Sequence, residues 1–278
     1  MRIPVTTLND GYDLPLIGLG TYKLAGEDVE TIVRTAIELG YWHIDTASFY
    51  GNEAEVGKAV NEAIAAGDVT REDLFITTKL WNDDQHRAAE AYQESLKRLN
   101  LDFVDLYLVH WPWPQRGLYV EAFEQLTKLQ GMGQLQSVGV ANFYPEVLDE
   151  IIGATGVVPV LNQVELHAGF TQPELRAYHA EKGILTEAWA PLARGENFDA
   201  PEIVAIADKH GATPAQVVLA YLMGMGCSVI PKTANPQRLV ENIGAVELSL
   251  SDDEVAALDR IEGGRMSGDP LTFRGEVR

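Results

Sequence analysis

Two periodicities take turns along this chain. Short runs, several of them almost wholly apolar, occupy 16–21, 43–46, 75–79, 104–110, 136–140, 160–165, 184–189 and 227–231. Runs of that length and continuity predict parallel strands covered on both faces. Between them apolar residues recur at helical spacing. Val29, Ile32, Val33, Ala36 and Ile37 form one stripe, Tyr92, Ser95, Leu96 and Leu99 a second, and Val217, Val218, Tyr221 and Leu222 a third. Gly40 reads as the residue just past a helix end. Asn52 with Glu55, Thr213 with Gln216, and Ser251 with Glu254 resemble capping boxes. Two helical patterns, 202–209 and 214–223, crowd one connection on either side of Gly211.

Eight strands with helices between them predict a (β/α)8 TIM barrel, formed as one domain over 1–278. Ahead of the first strand, Asp10-Gly11 is a hairpin signal, so an N-terminal β-hairpin cap is expected to plug the barrel's N-terminal end. The rival, an open doubly wound sheet, wants a Gly-rich phosphate turn after strand one. Gly18-Leu19-Gly20-Thr21-Tyr22-Lys23 supplies only two of its glycines, which fit better as small residues at a crowded strand end.

Composition narrows the field. With 46% hydrophobic residues, 278 residues can bury a large core. A net charge of −20, from 21 Lys and Arg against 41 Asp and Glu, argues against nucleic acid and against an anionic membrane surface. Cys227 is the single cysteine, so no intrachain disulfide forms; in its apolar run it reads as a packed core thiol in a reducing compartment. The start, Met1 to Val5, lacks a signal-peptide stretch, and no segment approaches the roughly 20 apolar residues of a membrane span. A cytoplasmic monomer is expected.

Four polar signatures end the strand runs: Asp45-Thr46-Ala47-Ser48-Phe49-Tyr50, Thr78-Lys79-Leu80-Trp81, Val109-His110-Trp111-Pro112 and Val140-Ala141-Asn142. Consecutive barrel strands that each present an ionisable side chain deliver them to one mouth. A tyrosine hydroxyl ordinarily titrates near 10, too high for easy proton donation. A neighbouring ammonium would lower it, and a carboxylate would keep that ammonium charged. Asp45, Tyr50 and Lys79 therefore read as a tuned general acid, with His110 orienting a carbonyl oxygen. Such a site gives a proton but no hydride, which a reduced nicotinamide must supply. The bland alternative is a buried Asp–Lys pair of no catalytic use. His43 with Asp45, and Glu165 with His167, resemble metal-ligand pairs, but no further ligands accompany them; no metal is expected, and His43 reads as a hydrogen-bonded barrel interior residue.

Longer stretches resemble the aldo-keto reductases. Gly40-Tyr41-Trp42-His43-Ile44-Asp45-Thr46-Ala47 with Tyr50-Gly51-Asn52-Glu53 is similar to the family's first signature. Leu106 to Pro112 resembles part of the second, and Ile230-Pro231-Lys232-Thr233 with Arg238 and Glu241-Asn242 the third. Phe75 to Asp83 and Ala154 to Pro159 resemble the bacterial 2,5-diketo-D-gluconate reductase branch. The resemblance implies a barrel that reduces aldehydes and ketones with NADPH, through Asp45, Tyr50, Lys79 and His110. It implies that Asn142 and Gln163 hold the nicotinamide carboxamide, that Trp189 stacks on the ring, and that Lys232, Thr233, Arg238 and Asn242 hold the adenosine 2′-phosphate end. Tyr22, Phe49, Trp81, Trp111 and Trp113 would wall the substrate pocket.

Departures from the family pattern carry expectations too. Ala141 replaces a usual serine, which removes a hydrogen bond to the carboxamide, a loss of about 0.5–1.5 kcal/mol. Ala234, Asn235 and Pro236 replace basic residues, which thins the phosphate clamp and leaves room for some use of NADH. The C-terminal tail after Ile261 is short, so a more open pocket is expected, accepting small dicarbonyls or keto sugar acids. Other readings on the same barrel are a non-catalytic subunit that senses nicotinamide nucleotide, and a lyase forming a Schiff base on Lys79 or Lys232.

Overall fold

A computed structural model describes residues 3–273. Met1 and Arg2, part of the N-terminal start considered above, and 274–278 of the short tail lie outside the described residues. A two-stranded antiparallel hairpin, β1 (Val5–Thr7) and β2 (Asp13–Pro15), comes first. Eight parallel strands follow in strict sequence order: β3 (Leu19–Gly20), β4 (His43–Asp45), β5 (Phe75–Leu80), β6 (Leu106–Val109), β7 (Ser137–Ala141), β8 (Leu161–Glu165), β9 (Leu185–Trp189) and β10 (Ser228–Val229). Parallel bridges from Ile17 to Val229 and from Gly20 to Lys232 join the last strand to the first and close the barrel.

The closure explains the two glycines. A Cβ on Gly18 would lie 2.6 Å from His43 Nδ1, and one on Gly20 would lie 2.8 Å from the Ile230 carbonyl oxygen. Both spaces belong to the barrel wall, so the pair packs strands together rather than cradling a phosphate.

Helices α1 (Glu27–Glu38), α2 (Glu53–Ala66), α3 (Ala88–Leu99), α4 (Tyr119–Gly131), α5 (Pro145–Thr155) and α6 (Pro173–Lys182) ring the sheet. Helices α7 (Pro201–His210) and α8 (Pro214–Gly224) share the β9–β10 connection, and α9 (Pro236–Ile243) and α10 (Asp252–Leu258) follow. The stripe Val29, Ile32, Val33, Ala36 and Ile37 is the buried face of α1. Capping boxes at Thr213–Gln216 and Ser251–Glu254 form as expected. The one expected at Asn52 does not. Its side chain turns inward, accepting from Thr46 Oγ1 and donating to the Thr21 and Leu24 carbonyls. That ties the loop after β3 to the loop after β4, at the end of the barrel where Asp45 stands.

The hairpin plugs the opposite end. Leu8 and Leu14 are buried against Phe75, Leu106, Val160 and Leu161, at the N-terminal ends of their strands. Asn9 Nδ2 donates to the Pro159 and Gly183 carbonyls, and Ser137 Oγ donates to Asp10 Oδ2. With the bottom filled, the C-terminal mouth is the open end. Cys227 is a packed thiol, buried and pushed up to about 11 by that burial. No helix among the described residues is long and apolar enough to cross a membrane.

Candidate active site

Asp45 ends β4, Lys79 is the fifth residue of β5, and His110 follows β6 directly. Parallel strands of matched register bring these ends to one mouth. Tyr50 closes a single 3-10 turn, Ser48–Tyr50, which Ser48 Oγ anchors by donating to the Lys79 carbonyl. The four residues foreseen as a constellation therefore meet.

Their geometry is specific. Lys79, wholly buried, donates from Nζ to Asp45 Oδ1 at 2.6 Å, to the Thr46 carbonyl at 2.8 Å and to the Tyr50 hydroxyl oxygen at 3.3 Å. Burial pushes the Lys79 ammonium down and the Asp45 carboxyl up, and in each case the partner opposes it. Three acceptors around Nζ take three N–H bonds, which only the ammonium has. Tyr50 departs from the sequence expectation. Burial first, then the Asp45 charge, holds its hydroxyl well above the ordinary phenol range. The resting tyrosine is thus a stored proton rather than an acidified phenol. Burial, helped by the Lys79 charge, holds His110 well below the usual imidazole range and so neutral.

Aromatic rings surround this centre. Phe49 stacks on Trp81 with centroids 3.8 Å apart, Tyr22 lies 5.0 Å from Tyr50, and His110 meets Tyr50, Phe49 and Trp81 edge-on. Trp113, by contrast, carries Arg116 over its ring.

The tail reaches further than its length suggested. The Met266 and Ser267 amides and the Ser267 hydroxyl all donate to the buried Glu165 carboxylate. Arg265 lies over the Tyr144 and Phe170 rings. Gln115 Nε2 then holds the Leu271 carbonyl, and Phe273 packs on Trp111 at 4.1 Å. Glu165, whose Oε1 also lies 3.3 Å from His167 Nε2, anchors this strap. No group of three or more metal-ligating side chains occurs among the described residues. His43 is an interior residue whose Nε2 pairs with Thr77 Oγ1 at 3.2 Å.

The residues expected to hold a cofactor divide into two groups. Gln163 Nε2 donates to Asp45 Oδ2 and to Glu187 Oε1, and nothing in the described protein donates to its Oε1. Asn142, at φ 65°, donates to the His110 carbonyl and accepts from Trp189 Nε1. Asparagine tolerates that left-handed backbone, and its amide oxygen keeps one lone pair. Gln163, Asn142 and Trp189 thus form a set beside the tetrad. At the second place, after β10, Lys232 and Arg238 are exposed and make no ion pair among the described residues. Thr233 Oγ1 accepts from the Asn235 amide just before α9, and Asn242 is buried on that helix.

Sequence reasoning overlooked Glu187, Ser228 and the strap. Glu187 did leave a signal, a lone carboxyl inside the run 184–189. The tail left none, since it has no periodicity.

Residues 16–262 match the Aldo/keto reductase family. An aldo-keto reductase of Mycolicibacterium smegmatis is 45% identical over 97% of this chain and 98% of its own length. The methylglyoxal reductase DkgA of Escherichia coli is 45% identical over 98% of both. Among solved structures, a mutant of Gox0644 in complex with NADPH superposes with a TM-score of 0.93 at 41% identity, over 99% of this chain and 100% of that one.

Proposed function

The chain belongs to the aldo/keto reductase family, and from that premise we propose that it reduces small aldehydes and ketones with NADPH, dicarbonyls and keto sugar acids foremost. The observation that carries this reading is the bond from Lys79 Nζ to the Tyr50 oxygen, with Asp45 on the far side of the ammonium. A donor tyrosine whose oxygen accepts from a cation has its own proton directed elsewhere. It also gains a stabilised phenolate at the moment that proton leaves.

Bound reduced nicotinamide supplies a hydride to the carbonyl carbon. Gln163, Asn142 and Trp189 suit its carboxamide and ring, offering one unused acceptor, one spare lone pair and one fixed aromatic plane. Lys232, Thr233, Arg238 and Asn242 suit the 2′-phosphate end, where two cations with no ion pair among the described residues stand in a chain of net charge −20. Ala141 in place of serine and the neutral Ala234-Asn235-Pro236 stretch weaken both contacts somewhat, so NADH serves as a poorer donor.

Neutral His110 hydrogen-bonds the substrate oxygen without competing for the proton, and Tyr50 completes the alcohol. Tyr22, Phe49, Trp81 and Trp111 form an apolar wall that excludes water around the reacting carbonyl. The chain acts as a monomer, as one barrel domain. The similarity to methylglyoxal reductase supports the dicarbonyl class. Initial rates with NADPH over methylglyoxal, 2,5-diketo-D-gluconate, aromatic aldehydes and steroids test it: the first two should lead, and turnover of none of the four rejects the reading.

A further inference from the structure

The polar cluster beneath Asp45 contains a carboxyl for which the reaction, as described, has no use. Glu187 stands in the middle of β9 and is wholly buried. Strand register sets Gln163, Glu187 and Ser228 side by side on β8, β9 and β10. Gln163 Nε2 donates to Asp45 Oδ2 and to Glu187 Oε1, each at 2.8 Å. Ser228 Oγ donates to Glu187 Oε2 at 2.8 Å, and His43 Nδ1 lies 3.7 Å from the same oxygen.

An amide side chain has a donor end and an acceptor end, and its surroundings alone decide which faces where. Flanked by two carboxyls, Gln163 must turn its NH2 group toward them. The reverse orientation would set its carbonyl oxygen against two acceptors and leave three buried oxygens in conflict. Both N–H bonds are then spent inside the barrel, and Oε1 faces the other way with no donor of its own. Asp45 Oδ2 takes one N–H and sets the sense of the amide, but without Glu187 the second N–H would be buried with no acceptor and the amide would be held at one point only. The second acceptor is what removes the amide's freedom to swing.

Building on the NADPH reductase reading, we infer that Glu187 is a positioning residue: through Oε1 it locks the Gln163 amide with its carbonyl oxygen outward, ready to accept from the nicotinamide carboxamide. Ser228 in turn fixes the Glu187 carboxyl. Burial pushes that carboxyl above its usual range, yet an acceptor oxygen survives whether or not it holds a proton. Glutamine in its place supplies one as well.

The full-length protein tests this by calorimetric titration with two nucleotides, NADPH and 2′-phospho-ADP-ribose, which lacks the nicotinamide. Glu187→Leu is expected to weaken NADPH about tenfold, the worth of one buried hydrogen bond, and to leave 2′-phospho-ADP-ribose unchanged. Glu187→Gln is expected to match wild type with both. Equal NADPH affinity in Glu187→Leu, or parallel losses for the two nucleotides, overturns the inference. So does a Glu187→Gln protein as impaired as Glu187→Leu. Should Glu187→Leu fail to fold, Ser228→Ala reads the same two affinities; a smaller loss confined to NADPH supports the lock, and no loss overturns it. A wild-type protein that binds neither nucleotide rejects the reductase reading itself, and the inference with it.

Discussion

Lys79 Nζ donates to the Tyr50 hydroxyl oxygen across 3.3 Å, and the direction of that bond decides what the tyrosine can do. The oxygen is engaged as an acceptor, so its proton is left for a group in the mouth. A phenol already keeps its proton at neutral pH, and desolvation raises its hold further. The ammonium makes its departure affordable only when another acceptor takes it.

The Lys79–Asp45 pair sits in a dry interior, where removing one partner strands the other charge at about 3–5 kcal/mol. Lys79→Met is expected to lose stability on that scale in urea unfolding. The double variant Lys79→Met with Asp45→Asn should recover most of it while remaining without turnover. A double variant no more stable than the single one contradicts this account of the pair.

Buried histidines make the fold sensitive to acid, His43 and His179 along with His110. Burial lowers His43 and His179 to about 4 in the folded chain, against about 6.5 when unfolded. Between those values the unfolded chain binds more protons, so acid favours unfolding. Their stabilisation is complete above about pH 6.5 and falls by about 1.4 kcal/mol per pH unit for each histidine below it. His179 is held by donation from Asn162 Nδ2 to its Nε2, and its Nδ1 donates to Thr186 Oγ1. Asp45 and Glu187, whose carboxyls burial pushes up, act in the opposite sense, so the comparison must be with the parent protein. Melting temperatures of His179→Gln and wild type from pH 7 to pH 5 should converge; parallel curves reject the assignment.

On the proposed reading, the exposed cations after β10 favour NADPH over NADH. Lys232→Gly and Arg238→His should each weaken NADPH about tenfold, as loss of a charge-assisted bond does, and change NADH little. Equal losses for the two cofactors would remove the phosphate clamp from the account.

The strap predicts a selectivity effect. Phe273 packs on Trp111, and Glu165 and Gln115 hold the residues that precede it. Phe273→Ala opens the mouth, so kcat/KM for a bulky aromatic aldehyde should rise relative to methylglyoxal. An unchanged ratio would detach the strap from the pocket.

Much of this was legible in the chain because periodicity is a local property. All eight barrel strands occur where the apolar runs lie, and the tetrad was visible because Asp45, Lys79 and His110 stand at or beside strand ends and Tyr50 lies five residues past Asp45. What escaped depends on relations between distant segments. Asn52 looked like a helix cap, but the carbonyls of Thr21 and Leu24, remote in sequence, claimed its amide. The acidity of Tyr50 was misjudged because charge is readable in a sequence while depth of burial is not. The tail's reach hung on Glu165, a hundred residues upstream, and no spacing rule connects the two.

Tyr50→Phe is the most direct measurement of the central claim. It removes the proton and leaves the ring, Lys79 and the nucleotide contacts in place. Turnover of methylglyoxal with NADPH should fall about a hundredfold to ten thousandfold, while NADPH binding followed by fluorescence quenching stays at the wild-type value. Turnover retained by the phenylalanine protein would contradict the account.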